Sequence, residues 1–303
     1  MNESMPLIDE LRQTRQRFLD LVGEIRPDLH RYCARMLGSI ADGEDVVQDA
    51  LARAYYQLPE LRETAALRSW LFRIAHNQAL DALRKRERDR SEPMETTEAA
   101  AKDEDADAVA ATAREHALGL AMERFLELSP LQRSCIVLKD VLGYTLDDIA
   151  SMLDSNVTAI KAALHRGRLR TRELSERSKP RPQGSLPDLV RRYVELFNAR
   201  DWDGVKSLLV DDVRLDLVSV SRRTGREDVG TYFSNYGHTA NWHLRAGWLD
   251  AQPAIAVFTA RQDMNPAYII DLELREDGVA RIRDFRYVPY IAREAQMFLE
   301  ART

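Results

Sequence analysis

The sequence has only two cysteines in 303 residues, Cys33 and Cys135, far apart in the chain. No Cys-x-x-Cys pair and no Cys/His cluster occurs, so the sequence offers neither a zinc site nor a disulfide framework. The expectation is two reduced, buried thiols and no metal or cofactor. Long apolar runs are also missing: nothing approaches the roughly 18 consecutive apolar residues that a spanning helix needs. The first residues carry Asp9, Glu10, Arg12, Arg15 and Arg17 instead of an apolar stretch, so no leader is expected and the chain reads as soluble and cytoplasmic. Excess positive charge is absent as well, since 44 Lys and Arg face 49 Asp and Glu, a net charge of −5. The sum argues against a nucleic-acid partner, but the distribution along the chain decides that question.

What is present falls into three blocks. Apolar residues make up 45% of the chain, enough for a sizeable core, and the length allows two or three domains of roughly 100–150 residues. Residues 5–90 read as helical. From Glu44 to Leu58, Val46, Val47, Ala50, Leu51, Ala54, Tyr55 and Leu58 fall on one stripe, with Glu44, Asp45, Gln48, Asp49 and Arg53 opposite. Trp70, Leu71, Ile74, Ala75, Ala79, Leu80 and Leu83 repeat the pattern. Between Ser91 and Arg114 the chain turns acidic, with Glu92, Glu95, Glu98, Asp103, Glu104, Asp105 and Asp107 around Lys102, the composition of a solvated linker. Helical period returns from Ala117 to Leu174, and Lys179-Pro-Arg-Pro-Gln-Gly-Ser-Leu-Pro187 reads as a second linker. The last block opens with helices at Asp188–Ala199 and Val205–Leu209. It continues in strand-like alternation at 213–220, 242–248, 254–259, 268–274 and 279–287, the signature of an α+β domain.

Two basic patches stand out. Thr145 can cap a short helix bearing Leu146, Ile149, Ala150 and Leu153, and Asp154-Ser155-Asn156 forms a turn. Val157, Ile160, Ala163 (or Ala162) and Leu164 then line the inner face of a second helix, which makes a helix-turn-helix. That second helix carries Lys161, His165, Arg166, Arg168, Arg170 and Arg172, suited to phosphates and base edges. By itself the pattern also fits an ordinary helical hairpin with a solvated basic face. The second patch, Arg84, Lys85, Arg86, Arg88 and Arg90, also fits a favourable charge at a helix C-terminus. Together, on either side of an acidic tether, they read as a bipartite grip on two separated DNA elements.

The residues Glu44-Asp45-Val-Val-Gln48-Asp49-Ala50-Leu51-Ala-Arg53-Ala-Tyr55, followed by Leu67-Arg-Ser-Trp70-Leu-Phe-Arg73-Ile-Ala-His-Asn77-Gln-Ala-Leu-Asp81-Ala-Leu-Arg84-Lys85, resemble region 2 of extracytoplasmic-function (ECF) sigma factors. Leu128-Ser129-Pro130-Leu-Gln-Arg133, Leu138, Gly143-Tyr-Thr145, Ile149-Ala150 and the helix to Arg168 resemble their region 4. The resemblance covers residues from about 15 to 175. It implies two all-α domains, region 2 over 10–91 and region 4 over 115–178, joined by the linker 92–114. It implies that Asp45, Gln48, Asp49 and Arg53 dock on the β′ clamp helices of core RNA polymerase, with a further contact to the β flap. Asn77, Asp81, Arg84, Lys85 and Arg88 would open and hold the −10 element, while Trp70 and Leu71 would serve the core. Thr158, Lys161, His165, Arg166 and Arg168 would read the −35 element. Ala159 and Ala163 stand where many relatives carry polar or basic residues, which points to a different −35 preference.

After the linker 179–187, residues 188–298 resemble a SnoaL-like domain, carried by Asp188-Leu-Val-x-x-Tyr193-x-x-x-Phe197-Asn-Ala-Arg-Asp201-Trp202 and Gly225-Arg-x-x-Val229-x-x-Tyr232-Phe233. The resemblance implies a conical α+β barrel with a pocket at its wide end and a regulatory role, exercised through a small molecule or an intramolecular partner. Tyr193, Trp202, Asp216, His238, Trp242 and Tyr268 are the candidate pocket residues, with Tyr236 and Phe258 as further walls and His243 and Asp271 as further titratable groups. No paired His/Asp spacing marks a catalytic site, and the expectation is a non-enzyme. Two other readings cover less of the chain. A helix-turn-helix repressor leaves the first ninety residues without a role, and an enzyme with a nucleic-acid appendage lacks a catalytic constellation.

Overall fold

In a computed structural model the chain divides into two compact units, Met1–Ser178 and Lys179–Thr303, each with its own hydrophobic core. The structure describes residues 4–58, 66–90, 113, 117, 122–176, 185–237, 241–250, 252–295 and 297–300. The acidic linker of the sequence reading, 92–114, lies outside these residues except for position 113, as does most of the second linker.

The first unit is helical. Helix α1 (Ser4–Leu37) and helix α2 (Ile40–Gln57) meet at a turn where Ser39 caps α2, its Oγ accepting the Asp42 N–H at 3.3 Å. The two helices cross closely at Gly43, where a Cβ would stand 2.5 Å from the Ala34 backbone. The apolar stripe of α2 is buried at Val46, Val47, Ala50 and Ala54. Tyr55, expected on that stripe, is 47% exposed. Glu44, expected on the polar face, is fully buried and paired with Arg26 of α1. The close crossing leaves no solvent on that side of α2, and a buried carboxylate needs a counter-ion. Helix α3 (Leu67–Arg90) closes the bundle through Leu67, Leu71, Phe72, Ala75 and Ala79.

The helix-turn-helix half begins with a 3₁₀ turn at Met122–Glu127 and helix α4 (Pro130–Ile136), which widens into a π-turn over Val137–Val141. Thr145 caps α5 (Leu146–Met152) with a capping box: its Oγ1 accepts the Asp148 N–H at 3.1 Å, and the Asp148 carboxylate accepts the Thr145 N–H at 3.2 Å. Asp154 takes the turn at φ 50°. Asn156 then starts α6 (Val157–Glu176), its Oδ1 accepting the Ala159 N–H at 2.9 Å. Ile149, Met152, Ile160, Ala163 and Leu164 form the inner face. This half is not held apart from the three-helix half: Phe125, Leu128, Ile136 and Leu138 share one core with Tyr32, Met36, Leu37 and Phe72.

The second unit is α+β, as the alternating strands predict. Helices α7 (Asp188–Asn198), α8 (Trp202–Ser207) and α9 (Arg226–Gly237) accompany a seven-stranded sheet. The strands are β1 (Leu209–Leu217), β2 (Ser221–Thr224), β3 (His243–Leu249), β4 (Gln252–Phe258), β5 (Tyr268–Arg275), β6 (Gly278–Asp284) and β7 (Met297–Leu299), with a short helix α10 (Tyr290–Glu294) before the last. Their order is β2-β1-β6-β5-β4-β3-β7, antiparallel except for the parallel β1/β6 pair. The sheet is therefore not a plain meander, since β1 lies beside β6. The helix expected at Val205–Leu209 lies at Trp202–Ser207, because the Asp201 carboxylate caps it by accepting the Gly204 N–H at 2.8 Å, and Leu209 already belongs to β1.

Candidate nucleic-acid interface

Helix periodicity assembles the site. On α3, Arg73, Asn77, Asp81 and Arg84 follow at spacings of four, four and three, so they share one outward stripe. On α2, Arg53 and Gln57 are four apart and face that stripe. Together with Trp70, Ile74 and Leu80 they line a cavity of about 460 Å³ between the two helices. Three guanidinium groups face one carboxylate, and Asp81 engages Arg84 at 3.0 Å in an exposed pair. Such a pair contributes at most about 1 kcal/mol and can exchange for a phosphate. Among the described residues, Arg53 and Arg73 have no carboxylate partner. The cavity therefore combines a flat indole wall, an exposed short amide at Asn77 and two uncommitted cations on opposite walls. That set can stack a base, read its edge and hold the flanking phosphates.

Asn77, Asp81 and Arg84 come together here as expected, whereas Lys85 and Arg88 are exposed but do not line the cavity. Arg53 lines the cavity beside Asn77, although the resemblance grouped it with Asp45, Gln48 and Asp49 as a polymerase contact. Those three lie earlier on α2, Asp49 exposed and Asp45 and Gln48 half-buried. Gln57, Trp70 and Arg73 were missed as site residues; the i, i+4 spacing to Arg53 and to Asn77 carried the signal. Arg86, from the same basic run, is turned away: it donates to the Leu37 carbonyl at 2.9 Å and pairs with Asp42.

On α6, Thr158 and Lys161 are exposed and His165 and Arg166 half-exposed, on the side away from the core. Arg168 does not join them. Its guanidinium grips the buried Asp140 carboxylate through two bonds, 3.0 Å from Nε and 2.6 Å from Nη2, and ties α6 to the π-turn. Assigning it to base reading is corrected on that ground: the π-turn brings a carboxylate inside, and a buried carboxylate demands a cation.

In the second unit, Tyr193, Trp202, Trp242 and Tyr268 converge on the concave side of the sheet. The ring centroids of Trp242 and Tyr268 lie 5.5 Å apart, and Trp202 meets Phe197 at 5.1 Å. Tyr193, Phe197, Phe233 and Tyr236 have essentially no solvent contact, so side chains fill the cone at that level. Asp216 is corrected: Val213 and Leu215 point inward, so Asp216 lies on the opposite face, where it meets Arg281 at 2.7 Å and Arg222 at 3.2 Å. Asp271 likewise pairs with Arg283 at 2.8 Å. His238 lies outside the described residues. The inward carboxylate is Asp284, fully buried on β6, which accepts from Tyr232 at 2.6 Å, Tyr236 at 3.0 Å and the Arg286 N–H at 2.8 Å. Burial pushes its pKa above the usual carboxylate range, and the Tyr232 hydrogen bond works against that shift. The Tyr236 hydroxyl also bonds Tyr268 at 2.8 Å.

Fold and site define a two-part helical unit, with a capped helix-turn-helix and a cationic cavity, followed in the chain by an α+β domain. Known proteins agree. Residues 21–89 match Sigma-70 region 2, residues 118–170 match Sigma-70, region 4, and residues 190–284 match the SnoaL-like domain. The ECF RNA polymerase sigma factor SigM of Mycobacterium tuberculosis is 31% identical over 147 residues, 48% of this chain and 70% of SigM. SigG of the same organism is 29% identical over 208 residues, 60% of this chain but only 56% of SigG, so the match spans little more than half of that relative. The crystal structure of the extracytoplasmic function sigma factor SigJ, also from M. tuberculosis, is similar at 22% identity and a TM-score of 0.36, over 88% of this chain and 95% of that one. The chain belongs to the ECF sigma factor family and carries a fused SnoaL-like domain at its C-terminal end. That family consists of transcription-initiation factors, not enzymes. Among the described residues no helix is long and apolar enough to cross a membrane.

Proposed function

We propose that the chain binds core RNA polymerase in the cytoplasm and directs initiation at specific promoters, with its C-terminal domain modulating that activity. The observation that carries this reading is the cavity between α2 and α3, where Asn77, Trp70 and the unpaired Arg53 and Arg73 converge. Extruding a base from the −10 element costs a few kcal/mol, which a stacking wall and an edge-reading amide can offset. Arg53 and Arg73, on two different helices, hold the strand on either side. Thr158, Lys161, His165 and Arg166 face the −35 element, and Asp45, Gln48 and Asp49 face the polymerase. The C-terminal domain acts through the aromatic end of its cone, near Trp202 and Trp242, or through its surface, toward a small molecule or another part of the chain.

Gel-shift assays over a promoter library, with and without core polymerase, test the reading. Specific binding is expected only with core present. Specific binding to duplex DNA by the chain alone would favour a repressor instead.

A further inference from the structure

Two carboxamides line the cavity between α2 and α3, one from each helix: Gln57 and Asn77. Gln57 is the last residue of α2. It sits between Tyr56, which is exposed, and Leu58, which packs against the core. That boundary position leaves Gln57 half-buried, one helical turn beyond Arg53 on the same wall. Asn77 is exposed on the facing wall. Among the described residues neither carboxamide has a hydrogen-bond partner. A half-buried amide without a protein partner can bond a ligand, and it penalises any ligand that covers it without bonding it. Gln57 is therefore placed to discriminate between occupants of the cavity.

The chemistry of a carboxamide says which base it accepts. Its C=O accepts and its NH2 donates, side by side, so its complement is a donor next to an acceptor. Adenine carries that pair on two edges. One N6 hydrogen lies beside N7 on the edge that faces the major groove of a duplex, and the other lies beside N1 on the Watson–Crick edge. Extrusion from the duplex exposes both edges at once. The groove edge of guanine presents two acceptors, that of cytosine only the N4 donor, and that of thymine O4 beside a methyl group. Adenine is thus the base that satisfies two carboxamides approaching from opposite sides. Arg53 and Arg73 supply no such pair, because a guanidinium only donates; its match is a phosphate or the two acceptors of guanine. Space is sufficient: the cavity of about 460 Å³ falls within the range of sites for one small ligand, roughly 300–1,000 Å³.

We propose that Gln57 is a specificity-determining residue: with Asn77 on the facing helix, it holds one adenine of the −10 strand by both donor–acceptor edges. The proposal rests on the promoter reading above and adds to it the identity of the captured base and the residue that selects it.

Transcription by core RNA polymerase with the full chain, on a promoter library randomised through the −10 element, tests it. Sequencing the initiated templates gives the base preference at each position. The wild-type chain should favour adenine at one position. Gln57→Ala should lower that preference about tenfold, the discrimination of one bidentate contact, and leave the other positions unchanged. Gln57→Met should do the same, which separates the lost amide from lost volume. Gln57→Glu accepts but cannot donate, so it should move the preference at that position toward cytosine, through the N4 donor. Asn77→Ala should relax the same position. Three results would each overturn the assignment while leaving the promoter reading in place. One is an unchanged preference at every position in Gln57→Ala. Another is an equal loss at all positions, as a phosphate or polymerase contact gives. The third is a guanine preference that disappears in Arg53→Ala or Arg73→Ala instead. A wild-type chain that initiates nowhere would overturn the promoter reading and the adenine assignment with it.

Discussion

Asn77 is a short amide on an otherwise cationic stripe, and its role is narrow enough to isolate. Asn77→Ala should slow strand opening about tenfold, the size of one lost base-edge contact of about 1–3 kcal/mol, while leaving the closed complex nearly intact. Permanganate reactivity of the −10 strand, beside a binding titration, separates the two steps; equal losses at both would count against base capture. Arg53→Ala and Arg73→Ala should instead weaken binding across all sequences and each lower the salt slope by about one. Arg168 makes the opposite kind of contact. Arg168→Ala would strand the buried Asp140 and should destabilise the first unit by about 3 kcal/mol in thermal melts, with −35 sequence preference retained. None of this division of labour is visible in a run of basic letters. Arg84, Arg86 and Arg168 look alike in sequence, yet one lines the cavity, one holds the α1–α2 turn and one neutralises an aspartate.

At the scale of elements, period carried most of the fold. The α2 stripe at Val46, Val47, Ala50 and Ala54 and the Thr145 cap are where the residue pattern put them. What the pattern could not supply was the neighbour. Glu44 is buried because α1 lies against it, and that contact lies outside any window of local sequence. The strands held more information than was drawn from them. Alternation along β1 already set Asp216 opposite Val213 and Leu215, and alternation along β6 set Asp284 with Ala280 and Ile282 on the inner face. Asp284 has a testable pH signature. A carboxyl whose pKa is raised on folding adds stability below its usual range near 4 and loses it as pH rises through the raised value. Asp284→Asn should flatten that pH dependence in thermal melts of the second unit, at the cost of one hydrogen bond, because the amide has one acceptor oxygen where the carboxylate uses two, toward the tyrosines and toward the Arg286 N–H. On α3 the sign is reversed. Burial, with Arg84 nearby, holds His76 down to about 4, and its Nδ1 meets the Tyr32 hydroxyl of α1 and the Ser134 hydroxyl of α4. An unfolded chain takes up a proton below about 6.5 that the folded one refuses, so stability is complete above that pH and declines from there toward 4. His76→Gln should flatten that decline.

For the whole molecule, the order of parts was legible from composition: helical block, acidic tether, helix-turn-helix, α+β cone. The packing of the first two helical parts on one another was not, because it depends on Tyr32, Arg133 and Tyr144 meeting partners 76 to 102 positions away. The second unit has a separate core, so a chain ending at Ser178 keeps the whole core of the first. The most direct test is transcription from a randomised promoter library with core RNA polymerase, comparing the full chain with that shorter one. Initiation at a defined set of sequences, reduced about tenfold in Asn77→Ala and differing in level between the two lengths, is the predicted result. Failure of both lengths to bind core or to initiate anywhere on the library would contradict the promoter reading.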